Sequence, residues 1–331
     1  MLRNFLFDKH ILKSASFNFP IICVGNLATG GTGKTPMTEY LIDILQKNYK
    51  PATLSRGYKR KTKGFAIAGP RTTALDIGDE PMQFHEKFPN ITVAVGEERF
   101  VAIPQILHDR PETSVIILDD AFQHRSVRAG LNIILTDYNN LYTRDLMIPA
   151  GDLRDTKISA KRAEIIIVTK CKADLSGDEK EKIIKEIAPK LNQHVFFTEI
   201  SYAQPYHLFS GEINDLQTNT DILLITGIAN PKPMKEFMAA HVHSYDMLQY
   251  ADHHIFTSND LREIKKHFEK LSPEKRLIIT TEKDGVRLKK FQTELSDLPV
   301  FVLPITHRFL FGEGEAFNSL IFDFMGRFNK N

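Results

Sequence analysis

Tryptophan is absent from this 331-residue chain and cysteine occurs only twice, at Cys23 and Cys171. Two cysteines are too few for a disulfide framework or a four-cysteine zinc site; they fit a reducing cytoplasm and read as inert thiols. An excess of one charge is also missing, since 43 Lys and Arg face 41 Asp and Glu for a formal net charge of +2. That balance excludes whole-molecule attraction to nucleic acid, so an anionic partner has to meet a local basic patch. Residues 14–33 carry no charge, but Pro20, Asn18, Asn26 and four glycines break them up. They therefore fall short of the about 20 apolar residues of a membrane-spanning helix. The N-terminus (Leu2, Phe5, Leu6, Phe7, Ile11 and Leu12 with Arg3, Lys9 and Lys13) lacks the small-residue cleavage site of a signal peptide. It reads either as an amphipathic helix packed on its own domain or as a helix lying on a membrane surface. Neither internal repeats nor low-complexity tracts occur, and HExxH, paired CxxC and GxSxG motifs are missing, which argues against transition-metal and serine-elbow catalysis.

What is present is the composition of a folded soluble protein, 42% hydrophobic and 25% charged, at a length that suits about two domains. From Pro20 onward short β-rich runs alternate with helical ones, the order of βαβ units around a mostly parallel sheet. The expected strands are Ile21–Val24, Ala52–Ser55, Thr92–Val95, Val115–Leu118, Asn132–Thr136 and Ile165–Thr169. Runs such as Val115-Ile116-Ile117-Leu118 are continuously apolar, which predicts burial on both faces and a three-layer α/β/α domain. Met37, Tyr40, Leu41, Ile44 and Leu45 recur at helical spacing, and Gly177–Ala188 reads as a surface helix. The pattern loosens around residues 198–220, where a boundary is expected. A smaller α/β domain then restarts with strand Ile222–Thr226, a helix opening at Pro231, and a helix from about Ser258 without the acidic member of a capping box. Strands Leu277–Thr280 and Val300–Leu303 and a final helix from about Glu313 complete it.

Ala28-Thr29-Gly30-Gly31-Thr32-Gly33-Lys34-Thr35, between the first strand and the first long helix, is a Walker A loop with Ala in its first position. Glycines let successive main-chain N–H groups turn toward one anion and the helix N-terminus adds partial positive charge. Lys34 is expected to reach the β and γ phosphates and Thr35 to ligate Mg²⁺. Val115–Leu118 runs into Asp119-Asp120, the form of a Walker B element that holds the Mg²⁺ shell. Gly78-Asp79-Glu80-Pro81 puts a carboxylate in a turn before a short helix starting at Pro81, suited to a base or metal-shell ligand and equally to a helix cap. Arg56, Lys59, Arg60, Lys61 and Lys63, with Tyr58 among them, form either an anion-docking patch or a solvated basic loop. Arg99, Arg125, Arg128, Arg154 and Arg162 are further phosphate-pairing candidates. Asp252-His253-His254 joins a carboxylate to an imidazole, although a histidine there is equally a structural one.

As a set, VGNLATGGTGKTP, SRGY, GDEP, VGEERFVA, ILDDAFQH, PAGDLRD, ADHH and TTEKD, in that order, resemble the tetraacyldisaccharide 4'-kinase family of lipid A biosynthesis. The resemblance runs from about residue 20 to beyond residue 285 and implies ATP and Mg²⁺ as cofactors. The implied reaction moves the γ-phosphate to the 4'-hydroxyl of a tetraacylated glucosamine disaccharide 1-phosphate at the cytoplasmic face of the inner membrane. The implied partners are that lipid and the membrane surface, with no nucleic acid, and the chain is expected to act as a monomer. By the same resemblance Asp79 is the base and His253 its partner, with Lys34 and Asp120 also catalytic. Thr29, Gly30, Gly31, Thr32, Gly33, Lys34 and Thr35 bind the nucleotide, and Thr35, Asp119 and Asp120 hold the metal. Tyr58, Arg99, Gln123, His124 and Arg154 face the acceptor or the phosphates, and Thr281 to Asp284 are structural or hinge-like.

The implied layout is an N-terminal apolar and basic segment over 1–20, a P-loop ATP-binding domain over 21–205, and a smaller domain over 206–331 that closes on the active site. Ala121 stands where the family generally has glycine, Asp152 and Asp155 where it has Pro and Glu, and family members generally begin with a longer membrane-anchoring helix. The rival classes are a P-loop GTPase switch or metallochaperone-like protein, partly imitated by Cys171-Lys172-Ala173-Asp174, and an ATP-dependent ligase of small carboxylic acids.

Overall fold

The computed structural model describes residues 2–9, 11–272 and 275–328. Its first part contains α1 (Leu2–Asp8), β1 (Ala15–Ser16), β2 (Ile21–Asn26), α2 (Lys34–Leu45), β3 (Pro51–Ser55), β4 (Ala66–Ile67), α3 (Ala74–Ile77) and α4 (Asp79–Lys87). Next come β5 (Thr92–Val95), α5 (Arg99–Asp109), β6 (Val115–Asp119), β7 (Val127–Arg128), β8 (Leu131–Asp137), β9 (Ile165–Thr169), α6 (Gly177–Ile187) and β10 (His194–Tyr202). Then follow β11 (Tyr206–His207), β12 (Asp221–Thr226), α7 (Lys232–His241), β13 (Ser244–Gln249), α8 (Ser258–Glu269), β14 (Arg276–Thr281), α9 (Glu282–Leu288) and α10 (Gln292–Leu295). The chain finishes with β15 (Val300–Leu303), β16 (Ile305–Phe309) and α11 (Gly314–Gly326).

Two units emerge, one comprising the chain up to Ser201 together with the chain from Thr306, the other Tyr202–Ile305. The larger carries a sheet in the order β16-β10-β9-β8-β2-β6-β3-β5-β4. From β10 to β5 every pairing is parallel, and β4 adds antiparallel to β5. Because side chains alternate along a strand, Ile21 and Cys23 enter one core with Ala102, Ile103 and Ile106 of α5 and Ile183 and Ile187 of α6. Ile22 and Val24 enter the other with Met37, Leu41 and Leu45 of α2, Phe84 of α4 and Phe317 and Ile321 of α11. Helices therefore cover both faces, and the expected three-layer P-loop architecture is the one observed.

The smaller unit repeats the plan with a sheet in the order β11-β15-β14-β12-β13, parallel except for β11. Leu261, Ile264 and Phe268 of α8 pack on Leu223, Ile225 and Ile278, while Met234 and Met238 of α7 pack on Ile222, Leu224 and Ile279 across the sheet.

Three expectations are corrected. The last segment does not belong to the smaller unit, because β16 lies beside β10 in the large sheet and α11 packs in its core. Aromatic contacts hold it there, with ring centroids of Phe317 at 5.5 Å from Phe196, 4.7 Å from Phe309 and 5.9 Å from Tyr40. Asp79 and Glu80 do not precede the short helix but are its first residues, behind a left-handed Gly78 at φ 97°. Helix α8 does have a capping box, one residue earlier than expected, where the Thr257 side chain caps the Asp260 N–H and Asp260 returns the bond. Truncating Phe317 to Ala is expected to destabilise the larger unit by about 3–5 kcal/mol, read as a lower urea midpoint by circular dichroism. A change below about 1 kcal/mol would show that α11 is a passive appendage.

Candidate active site

Strand β2 lies between β6 and β8 in the sheet, so the loop that follows it emerges beside the end of β6, where Val24 is in register with Asp119. A side chain at Gly25 would place its Cβ 2.5 Å from the Cβ of Phe122, so only glycine lets the chain pass that turn. The loop takes left-handed backbone at Gly30 (φ 98°) and Gly33 (φ 86°), which turns its amides before α2 begins at Lys34. It is tied down from outside the phosphate side. Asn26, fully buried, donates to Thr32 Oγ1 at 2.9 Å and to the Gly30 carbonyl at 3.4 Å. The Thr29 N–H donates to the Asp152 carbonyl at 2.7 Å, and Thr169 Oγ1 donates to the Thr32 carbonyl at 2.8 Å. Next in line, His307 Nε2 lies 2.9 Å from the Gly33 carbonyl oxygen.

Cations and carboxylates converge beyond the loop. Lys34 Nζ is 3.8 Å from Asp120 Oδ1. Arg154 grips the same carboxylate with both terminal nitrogens, one of them at 3.2 Å from Oδ2, and also donates to Asn26 Oδ1 at 2.5 Å. Asp120 adopts left-handed backbone at φ 47°, unusual for a residue with a Cβ. Burial works to raise its pKa, but Lys34 and Arg154 outweigh it and hold the carboxyl below the usual range. The neighbouring Asp119 is only 2% exposed and accepts a 3.2 Å bond from Thr38 Oγ1. Burial, then the charges of Glu80 and Asp120, push it up to about 7 against the pull of Lys34. Glu80, beside Asp79 at the start of α4, is thus electrostatically part of the same cluster.

Of the other expected residues, Gln123 donates to the Asn26 carbonyl at 2.6 Å, which locks the turn after β6 to the base of the loop. Arg99 opens α5 with 1% exposure. Its Nη1 donates to the carbonyls of Gly96 and Glu97, while Nε and Nη2 have no partner. Burial lowers it to about 10, with Asp119 and Asp120 opposing. His124 is pressed to about 4 by burial and by Arg99, Arg3 and Arg56. Tyr58 is 66% exposed after β3, with the Lys59 ammonium 5.6 Å from its ring. Arg60 is not part of a solvated patch: it bonds the Gly64 carbonyl at 2.6 Å and pairs with Glu97 at 2.5 Å.

In the smaller unit His253 stands at φ 62°. Arg287, itself paired with fully buried Asp284 at 2.9 Å, reaches His253 Nδ1 at 3.1 Å, and Lys283 Nζ lies 3.2 Å from Nε2. Guanidinium and ammonium can only donate and a neutral imidazole accepts at one nitrogen, so only one of these two contacts is a hydrogen bond at a time. Asp284 also accepts from the Gly227 N–H at 2.8 Å and from Thr281 Oγ1 at 2.8 Å. The TTEKD segment is therefore a support for the histidine. Cys171 is buried, its Sγ donates to the Val168 carbonyl at 3.4 Å, and burial raises its thiol to about 12, as it does for Cys23.

Thr38, Thr169 and His307 stood in no quoted motif and Asn26 stood in VGNLATGGTGKTP without an assigned role; what each does appears only when distant strands assemble. The family model described as tetraacyldisaccharide-1-P 4'-kinase matches residues 1–325. The chain belongs to this family. Among curated relatives named tetraacyldisaccharide 4'-kinase, one from Phocaeicola vulgatus is 44% identical and aligns over all of this chain and 92% of its own length. Another from Bacteroides thetaiotaomicron is 43% identical over all of this chain and 90% of its own, and one from Flavobacterium johnsoniae is 45% identical over 93% and 89%. The family's fold is also matched in a crystal structure of LpxK from Aquifex aeolicus in complex with ATP, at 25% identity and a TM-score of 0.74, covering 98% of this chain and 94% of that one. The P-loop fold expected of a tetraacyldisaccharide 4'-kinase is thus the fold found, and the switch and ligase alternatives fall away.

Acid should unfold this kinase through its buried imidazoles. His124 and His307 both titrate at about 4 in the folded chain, below the ordinary 6.5, so the unfolded chain binds more protons between those values. The contribution of these two histidines is full above the unfolded value and is lost as pH falls through this window, while Asp119, raised to about 7, acts in the opposite sense. The melting temperature is expected to drop from about pH 6.5 to about pH 4, and His307→Gln to make that drop shallower. Identical slopes for wild type and variant would refute the assignment.

Proposed function

We infer that this chain is an ATP-dependent lipid kinase that moves the γ-phosphoryl group of ATP to the 4'-hydroxyl of a tetraacylated disaccharide 1-phosphate. The observation that carries the reading is the Lys34–Asp120–Arg154 cluster behind a left-handed glycine loop, in a chain matched by the family over residues 1–325. The loop amides and Lys34 bind the β and γ phosphates through Thr29 to Thr35. Thr35, Asp119 and Asp120 form an all-oxygen donor set that fits Mg²⁺. Among the described residues no group of three or more acidic, His or Cys side chains forms a metal cage. Bound there, Mg²⁺ held by Thr35, Asp119 and Asp120 would supply neutralisation of the phosphate charge.

Asp79 accepts the proton as the 4'-oxygen forms its bond to the γ-phosphorus and the bond to the β–γ bridging oxygen breaks, releasing ADP. Arg154 and Arg99 answer the negative charge of the phosphates, and Gln123, His124 and Tyr58 position the acceptor. The unpartnered Nε and Nη2 of buried Arg99 support an anionic ligand there, because buried guanidinium donors are costly when left unmet.

Attachment to the cytoplasmic face of the inner membrane rests on the N-terminal segment. No described helix is long and apolar enough to cross a membrane. Asn4 Nδ2 bonds Asp155 at 2.6 Å and Asp8 pairs with Arg125 at 2.6 Å, which docks α1 by its polar groups and leaves Phe5 52% and Ile11 64% exposed. Lys9 and Lys13 flank these apolar side chains, a combination suited to anionic lipid.

With γ-labelled ATP and detergent-dispersed disaccharide 1-phosphate lipid, label is expected in the lipid, whereas release of free phosphate alone would reject the assignment. Asp79→Ala is expected to lower turnover by about 10²–10⁴-fold while ATP affinity is largely kept. A parallel collapse of ATP binding would move Asp79 into the metal shell. Phe5→Ser with Ile11→Ser is expected to reduce co-sedimentation with anionic vesicles, and undiminished sedimentation would remove the segment from membrane contact.

A further inference from the structure

A loop that aims its N–H groups at an anion necessarily aims the matching carbonyls into the protein, where each needs a donor. For Thr32 that donor is the Thr169 hydroxyl, from the end of β9. The Gly33 carbonyl accepts the Met37 N–H of α2 at 3.2 Å and, on its second lone pair, the imidazole of His307, on β16, 274 residues away in sequence. His307 is 3% exposed, and its second nitrogen, Nδ1, lies 2.9 Å from Thr198 Oγ1 on β10.

The protonation pattern follows from the partners. A carbonyl oxygen only accepts, so Nε2 carries the hydrogen. Burial keeps the ring neutral, with Lys170 the charged group acting on it in the same direction, so Nδ1 presents its lone pair and the Thr198 hydroxyl donates into it. The relay runs from hydroxyl to imidazole to carbonyl. It ends on the peptide unit that joins Gly33 to Lys34, whose other polar group is the Lys34 N–H, the first amide of α2.

Packing makes the same point from the other side. A Cβ at position 33 would sit 3.0 Å from both Cε1 and Nε2 of His307, so the ring lies against a bare α-carbon. Glycine is needed there for its left-handed backbone and also for room for this ring.

We propose that His307 is a positioning residue for the nucleotide: held in its Nε2–H form by Thr198, it fixes the Gly33–Lys34 peptide with its N–H aimed at the phosphates. The bond also polarises that peptide, which strengthens the hydrogen bond its N–H offers on the far side. This role rests on the reading of the loop as an ATP cradle and deepens it, adding a residue from the last strand of the sheet to the machinery of the first loop.

The test compares His307→Leu, His307→Gln and Thr198→Val in the full chain, reading ATP affinity by titration calorimetry and, separately, KM for ATP, KM for the lipid and kcat. His307→Leu is expected to weaken ATP binding and raise KM for ATP by about tenfold, with KM for the lipid unchanged. His307→Gln restores a donor at the same reach and is expected to stay within about twofold of wild type, with Thr198→Val between the two. A structural role alone would lower the melting temperature without this split and without rescue by glutamine.

Wild-type ATP affinity in His307→Leu, or a glutamine variant as impaired as the leucine one, overturns the proposal. Should the leucine variant fail to fold, Thr198→Val with unchanged ATP affinity overturns it equally. A chain that binds ATP with this dependence on His307 but labels no lipid supports the positioning role and rejects the lipid-kinase reading. One that binds no ATP rejects both.

Discussion

Two carboxylates side by side at the end of a buried strand repel each other and lose their hydration, and the active site is organised around offsetting that cost. Asp120 is met by Lys34 and a two-pronged Arg154, whereas Asp119 keeps only a hydroxyl partner and burial drives its proton affinity upward. The asymmetry divides the labour between neighbours: one carboxylate is held toward its charged form and braces the loop lysine, and the other is left wanting a cation. Arg154 gains from the same arrangement, because its second contact, Asn26, belongs to the strand that launches the loop. Strand, loop and the two acids are thereby one hydrogen-bonded object.

Much of this was legible in the residues themselves. Val115–Leu118 and Ile165–Thr169 are continuous apolar runs, and a strand covered on both faces has little alternative to that pattern. The glycine loop and the paired aspartates carry their chemistry in contiguous letters. Strands β10, β13 and β16 were not legible: His194–Tyr202, Ser244–Gln249 and Ile305–Phe309 mix polar residues into every turn of the pattern, as partly exposed strands do. The capping box of α8 was misread because Thr257 and Ser258 are adjacent and either can cap, and only backbone geometry chooses between them.

The site residues that sequence reasoning missed share a cause. Thr38 meets Asp119 across 81 positions, Asn26 meets Arg154 across 128, and His307 meets Gly33 across 274. Each is a common residue type whose role exists only in three dimensions. In the smaller unit the same holds for Arg287, which follows the TTEKD motif by three residues and whose purpose becomes visible once it is seen beside His253. The motif reads as structural in sequence and proves so in form, but what it shapes is the environment of one imidazole.

The path of the chain has a consequence for how the protein comes into being. The second unit is inserted between β10 and β16, so the polypeptide leaves the first sheet unfinished, builds Tyr202–Ile305, and only then supplies the neighbouring strand and the aromatic helix. On the ribosome the glycine loop is made before Tyr202–Ile305 and its histidine brace after it. A nascent chain thus exposes the apolar flank destined for Phe317 until the whole of Tyr202–Ile305 has been made.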